Sequence, residues 1–162
     1  MTPPNSLSAA AFPQSLAQEA KLVEQFVTVL QQEQTALSEG ATERLADYIE
    51  QKNQLVTELN FLAEQRNNEL LAQNLSADRS GLNAWFKAHP EEQEALQTWT
   101  KILALVSEAR ELNRLNGELV NVRLQHTARN LEALRNSKDP LDLYGPDGKS
   151  AFPGQQRIHD IV

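Results

Sequence analysis

The sequence predicts an all-α protein, an antiparallel three-helix bundle with coiled-coil-like packing. Apolar residues recur three and four positions apart in three long segments, a spacing that places them along one face of a helix. Hydrophobic residues make up 40% of the 162 residues and aromatic residues only 6%. This composition is typical of the thin, aliphatic core of a helical bundle.

The first two helices are predicted to form an antiparallel hairpin. Residues 1–14 hold three of the seven prolines and are expected to be a disordered leader. The first helix is predicted to begin at Ser15, a favourable N-cap, and to end at a left-handed cap on Gly40. Its apolar stripe consists of Leu16, Ala20, Val23, Val27, Leu30 and Leu37. Thr42 is expected to cap the second helix, and so short a connection favours antiparallel neighbours. The stripe of the second helix consists of Leu45, Tyr48, Ile49, Lys52, Leu55, Val56, Leu59, Leu62 and Arg66.

A short extra helix is predicted within residues 76–89. It carries Leu82, Trp85 and Phe86. Burial of the aromatic pair at one end of the bundle is the favoured interpretation, because large aromatic side chains are usually buried. An exposed recognition patch is the alternative.

The long C-terminal helix is predicted to begin at Pro90, which suits a first helical position, and to end at Arg135. It should lie parallel to the first helix and antiparallel to the second. Its apolar seam consists of Leu96, Trp99, Leu103, Val106, Val120, Leu124, Leu131 and Leu134. The same heptad places Arg110, Asn113 and Gly117 on the seam. Control of the helix register is the first interpretation of these residues, and a partner contact is the second. Residues 15–135 thus form the predicted bundle, and residues 136–162, rich in proline and glycine, a flexible tail.

Charge and composition exclude several functions. The net charge of −7 argues against binding to nucleic acid or to an anionic membrane. Residues 1–109 carry 7 basic and 15 acidic side chains, whereas residues 110–135 carry 5 arginines and 3 glutamates. That local excess is interpreted as a solvated face, or alternatively as a docking surface for an acidic partner. The chain has no cysteine, no signal-peptide pattern and no long apolar run, so a cytoplasmic protein is expected.

No catalytic or cofactor site is predicted. Residues 145–150 (GPDGKS) end like a phosphate-binding loop, but the first glycine of such a loop would fall on Leu143 and Pro153 prevents the helix that must follow. His126 lacks the sequence context of a phosphotransfer helix. Carboxylates are frequent, yet no pattern brings them together in a cleft. The sequence therefore favours an interaction protein, with no enzyme activity, metal or cofactor.

Two short motifs resemble a known family. The stretch Leu112–Val120 (LNRLNGELV) and the later stretch 143–148 (LYGPDG) are similar to sequences in the FlgN family of flagellar type III export chaperones. The second helix adds a looser match at Lys52, Leu55, Leu59, Leu62 and Arg66. Together the similarities cover residues 16–150.

This resemblance implies a cytoplasmic chaperone for the hook-filament junction proteins, which are hook-associated proteins one and three. Such a chaperone prevents premature polymerisation of its clients and delivers them to components of the flagellar export apparatus. The partner-binding residues that the resemblance implies are Leu141, Leu143, Tyr144, Gly145, Asp147, Gly148, Asn113, Asn116 and Gly117. A structural coiled-coil adaptor or stalk subunit of a secretion complex is the alternative function.

Overall fold

The computed structural model describes residues 7–136, with side chains from residue 11 onward. In this part of the chain α1 spans Leu7–Glu39, α2 Leu45–Ala72, α3 Arg79–Ala88 and α4 Gln93–Asn136, and a 3₁₀ turn occupies Thr42–Arg44. The predicted all-α bundle is confirmed. The chain divides into two units, residues 1–120 and 121–162, and the bundle lies in the first.

The first helix begins earlier than predicted. It starts at Leu7 rather than Ser15 and includes Pro13, so the expectation of disorder is wrong for residues 7–14. Phe12 is fully buried, and its ring centroid lies 4.4 Å from that of Trp85. Burial of this ring favours the additional helical turns, although a proline inside a helix removes one backbone hydrogen bond.

The hairpin between α1 and α2 turns at Gly40. This residue has a φ of 76°, and the N–H of Ala41 donates to the carbonyl of Ala36 at 2.9 Å, which closes a Schellman cap. The predicted left-handed cap is confirmed. Thr42 is not the cap of α2, because it lies inside the 3₁₀ turn and no side chain caps either helix start there.

The apolar stripe of α1 carries the core of the bundle. All six residues predicted for it are buried, and Leu30 is fully enclosed. In α2, Tyr48 and Leu62 are buried as predicted, whereas Ile49 and Val56 are exposed. The α2 stripe is therefore narrower than its sequence suggests, because the helix packs against α1 on one side only over much of its length.

The connection from α2 to α4 is built from local hydrogen bonds. Asn74 adopts a φ of 60°, and the N–H of Leu75 donates to the carbonyl of Leu70 at 2.9 Å. Asp78 then caps α3 by accepting the N–H of Gly81 at 2.9 Å. This places Trp85 and Phe86 in the core, in a cluster with residues of α1, α2 and α4. The predicted burial of the aromatic pair is confirmed.

The predicted helix directions are confirmed by pairs of side chains. Between α1 and α2, Glu19 pairs with Arg66 and Glu33 pairs with Lys52. Residue numbers rise along α1 as they fall along α2, so these two helices are antiparallel. Between α1 and α4, Glu24 pairs with Lys101, and Gln31 donates to Glu108 at 3.2 Å. Since both numbers rise together in the second set, α4 is parallel to α1.

The first turn of α4 was predicted three residues too early. The helix begins at Gln93, and Pro90 lies in a preceding turn closed by the N–H of Glu92 and the carbonyl of His89 at 3.1 Å. Proline fits the second position of such a turn because its φ is already fixed there.

The predicted seam of α4 is mostly wrong. The buried residues of this helix are Ala95, Trp99, Ile102, Ala109 and Asn116. Of the predicted set, only Trp99 is buried, Leu103 and Val106 are half-buried, and Leu96 and Val120 are exposed. Ala109 packs against Val27 and Leu30 of α1. The face of α4 that contacts the bundle therefore lies about one sequence position away from the face that carries the larger apolar side chains.

Candidate partner-binding surface

Two polar layers fix how α1 meets its neighbours. The Nζ of Lys52 lies 2.7 and 3.0 Å from the two carboxylate oxygens of Glu33. Asn116 from α4 joins this layer, since its Nδ2 donates to the Leu30 carbonyl at 2.9 Å and lies 3.4 Å from Glu33. The second layer pairs Arg66 with Glu19. Both pairs are largely buried, so they constrain register more than they add stability.

An open groove lies beside the second layer, between α2, α3 and α4. Its volume is about 430 Å³. The floor is apolar and consists of Leu82, Trp99, Leu103 and Val106. The guanidinium carbon of Arg66 lies 5.0 Å from the centroid of the Trp99 ring, so a cation–π contact forms the junction between floor and wall.

The walls of the groove are predominantly basic. Arg66, Arg79 and Arg110 line it, and among the described residues Asp78 is the one acidic residue of the lining. The pKa of Asp78 is held below its usual value, first by the hydrogen bond from the Gly81 N–H and then by the Ser76 hydroxyl. Both donors bond to the same carboxylate oxygen, Oδ1, and they stabilise its negative charge. Arg79 is absent from the predicted site residues, because the sequence before α3 has only the pattern of a connecting segment.

The three predicted site residues on α4 do not share one surface. Asn116 is buried in the bundle, whereas Asn113 and Gly117 are exposed. A Cβ added at Gly117 would meet nothing within 4 Å, so no backbone segment of residues 7–136 lies close to this glycine apart from its own helix. Control of register thus belongs to Asn116, and the predicted register role of Arg110, Asn113 and Gly117 is wrong because all three residues are exposed, whereas their alternative role as a partner contact stays a prediction.

The same motif carries an exposed charge cluster. Arg114 donates to Glu111 at 2.7 and 3.0 Å and also pairs with Glu118. These contacts lower the pKa of the Glu111 carboxyl and raise that of the arginine. Because the side chains remain more than half exposed, solvent screens the cluster and it adds little to stability.

Residues 121–136, the described part of the second unit, form the last turns of α4. Leu124, Leu131 and Leu134 occur at positions i, i+7 and i+10, which share one helix face. Leu124 is 57% exposed and Leu131 54% exposed. We call these three residues the leucine stripe.

The remaining predicted site residues lie outside the described residues, namely Leu141, Leu143, Tyr144, Gly145, Asp147 and Gly148.

Among residues 7–136 there is no group of three or more histidine or acidic side chains that could hold a metal ion. No helix in that part is both long enough and apolar enough to cross a membrane.

Comparison with known proteins decides the family. The family model described as FlgN protein matches residues 1–151. The chain belongs to the FlgN family. The match includes residues 1–15, which precede the region of residues 16–150 that the motif similarities covered.

Named relatives agree with this assignment. The chain is 30% identical over 136 residues to the flagella synthesis protein FlgN of Yersinia enterocolitica, an alignment that covers 83% of this chain and 85% of the relative. It is 29% identical over 126 residues to the protein of the same name from Salmonella typhimurium, covering 76% and 79%. No solved structure matches the chain. The FlgN family and these names support a role in flagellar assembly.

Proposed function

We propose that this protein is a cytoplasmic export chaperone for the hook-filament junction proteins, hook-associated proteins one and three. In this role it binds the junction proteins before assembly, prevents their premature polymerisation and delivers them to the flagellar type III export apparatus. No catalytic activity and no nucleotide belong to the proposal. Membership of the FlgN family supplies its context.

The observation that carries the proposal is the leucine stripe. Leu124, Leu131 and Leu134 are exposed on one face of α4. An amphipathic helix of a client can lay its apolar face on such a row, as in helix-in-groove recognition. The subunits concerned polymerise through amphipathic terminal helices, so covering those helices would keep them apart.

The tail adds a second set of contacts in this proposal. Leu141, Leu143 and Tyr144 supply apolar anchors in a segment with many turn-forming residues, which include Gly145 and Gly148. A segment that becomes ordered on binding loses conformational entropy, so its affinity per unit area is low. A chaperone that must release its client at the export apparatus requires that property.

Removal of the tail tests the proposal. Full-length protein and a chain that ends at Asn136 are each used to capture junction proteins from a lysate of flagellated cells. Strong capture by the full-length chain and weaker capture by the shorter chain, which retains the leucine stripe, is the expected result, with binding by the double variant Leu143→Ala, Tyr144→Ala weakened by about 2–4 kcal/mol in a titration with purified client. Equal capture by both chains would confine the client to residues before 137 and remove the tail from the site. If neither chain captures a junction protein, the chaperone role is wrong.

A structural adaptor or stalk subunit is the second candidate function. The leucine stripe also favours it, because a coiled-coil partner would cover the same exposed side chains permanently. The two functions differ in their assembly. An adaptor buries the stripe in a stable oligomer at every concentration, whereas a chaperone without client leaves it available, so light scattering over a dilution series separates them.

A further inference from the structure

We infer that the groove between α2, α3 and α4 is a second docking site, and that it takes an amphipathic helix with an acidic flank from a partner protein. The groove lies in the first unit, at residues 66–110, and is separate in sequence from the leucine stripe and the tail. The inference therefore goes beyond the proposed client site and does not depend on it.

The floor of the groove has the pattern that a helix requires. Trp99, Leu103, Val106 and Arg110 follow one another at intervals of four, three and four residues, and all four line the cavity. This is the heptad seam that the sequence displays, yet Leu103 and Val106 remain half-exposed because α4 packs on α1 through another face. Trp99 is buried at the base of this row, and the accessible parts of Leu103, Val106 and Arg110 are spaced to receive the side chains of another helix by knobs-into-holes packing.

The walls select the sign of the partner's charge. Arg66 is already paired with Glu19, whereas Asp78 accepts from the Gly81 N–H and the Ser76 hydroxyl and keeps its negative charge. Arg79 and Arg110 line the same groove, and neither forms an ion pair within residues 7–136. In a chain whose net charge is −7, Arg79 and Arg110 outnumber the one carboxylate of Asp78 among the described lining residues, beside an apolar floor. Complementarity of charge favours carboxylates on the flank of the incoming helix.

The test uses two synthetic peptides of about 18 residues with the same leucine seam, one flanked by glutamates and the other by lysines. Each is titrated into the full-length protein, and backbone amide signals are followed by NMR. The glutamate peptide should shift the signals of Trp99, Val106 and Arg110, and bind at least about tenfold more tightly than the lysine peptide. That preference should shrink as salt is added.

Charge reversal provides the matched control. Arg110→Glu changes an exposed groove residue and should abolish the preference for the glutamate peptide. Arg129→Glu makes the same change on the exposed surface of α4 outside the groove and should leave the preference intact. Equal binding of the two peptides, absence of binding, or an unaltered preference in Arg110→Glu would overturn the inference.

Two other occupants give different results. If the groove holds the chain's own tail, neutralising Asp139, Asp142 and Asp147 to asparagine moves the groove signals before any peptide is added. If it holds a second copy of the chain, dilution alone moves them. Either result would replace a partner protein with this chain as the occupant, and the inference would be wrong.

Discussion

Asn116 fixes the relation between α1 and α4 at some cost in stability. The side chain is 2% exposed, and its Nδ2 group donates to the Leu30 carbonyl. Its Oδ1 atom is buried with no hydrogen-bond partner among the described residues. An unsatisfied buried acceptor is destabilising, but a polar residue in an apolar interface disfavours every register in which it would lose its donor contact.

Gly81 permits the close approach of two backbone segments at the start of α3. A Cβ added there would lie 1.7 Å from the carbonyl oxygen of Ser76. Gly81→Ala should therefore displace the cap of α3 and lower the free energy of unfolding by about 1–3 kcal/mol, as overpacking does. Chemical denaturation measures the change.

Gly117 is the matched control for that substitution. It lies in an exposed part of α4 with open space at the Cβ position, so Gly117→Ala should raise the free energy of unfolding by up to about 1 kcal/mol. Loss of stability in both variants would mean that helix interiors, rather than the contact with Ser76, decide the effect.

Asp78 gives the stability of α3 a dependence on pH. Its folded-state pKa lies below the unfolded value because the Gly81 N–H and the Ser76 hydroxyl donate to the carboxylate. The stabilisation is therefore present above the unfolded pKa of about 3.9 and is lost as the pH falls through the folded value. Asp78→Ala should lower the thermal midpoint at pH 7, and this difference from the parent should shrink below about pH 4. Asp78→Asn, which retains a capping oxygen, is the control.

At the scale of elements, two charge layers align α1 with α2. Glu19 and Glu33 are two heptads apart, and so are Lys52 and Arg66, which makes both pairs form together in one antiparallel register. A slip of one heptad would break both pairs. The sequence contains this signal, because Lys52 and Arg66 lie in the α2 stripe with the same spacing as Glu19 and Glu33 on α1.

The charge layers can be tested by exchange of the partners. Lys52→Ala leaves the Glu33 carboxylate largely buried with only Asn116 nearby, and should destabilise the bundle by about 2 kcal/mol. The exchanged pair Glu33→Lys with Lys52→Glu should recover part of that loss. Urea unfolding of the parent, of Glu33→Lys alone, of Lys52→Glu alone and of the exchanged pair measures the coupling energy between the two positions. A coupling near zero would show that the layer has no role in register.

The apolar spacing of α1 predicted its buried residues well, whereas that of α4 did not. All six stripe residues of α1 are buried because this helix has neighbours on both sides, so every apolar face finds a contact. For α4 the pattern selected the larger side chains, whereas Ala95 and Ala109 make the close contacts with the bundle. Apolar spacing identifies the amphipathic face of a helix. It does not reveal that part of that face borders an open groove.

At the scale of the whole molecule, the class of fold and the family were predictable, but the proposed docking surfaces were not. Periodicity and breakers locate helices from local sequence, and two short motifs indicated the FlgN family. The groove depends on how far α2 and α4 stand apart, which no local pattern encodes. The predicted contacts of Leu143 and Tyr144 stay predictions, because those residues lie outside the described part of the chain.

The division into two units predicts that stability and client binding can be changed separately. Leu124→Ser with Leu131→Ser alters side chains that are more than half exposed, so the thermal midpoint should stay at the parent value while affinity for a junction protein falls at least about tenfold. Leu30→Ala is the reciprocal variant. It truncates a fully buried residue of the bundle and should cost about 2–5 kcal/mol of stability while client affinity, measured below the midpoint, is retained. If the serine variant melts earlier, the stripe is part of the core, and if its client affinity is unchanged, the client binds elsewhere.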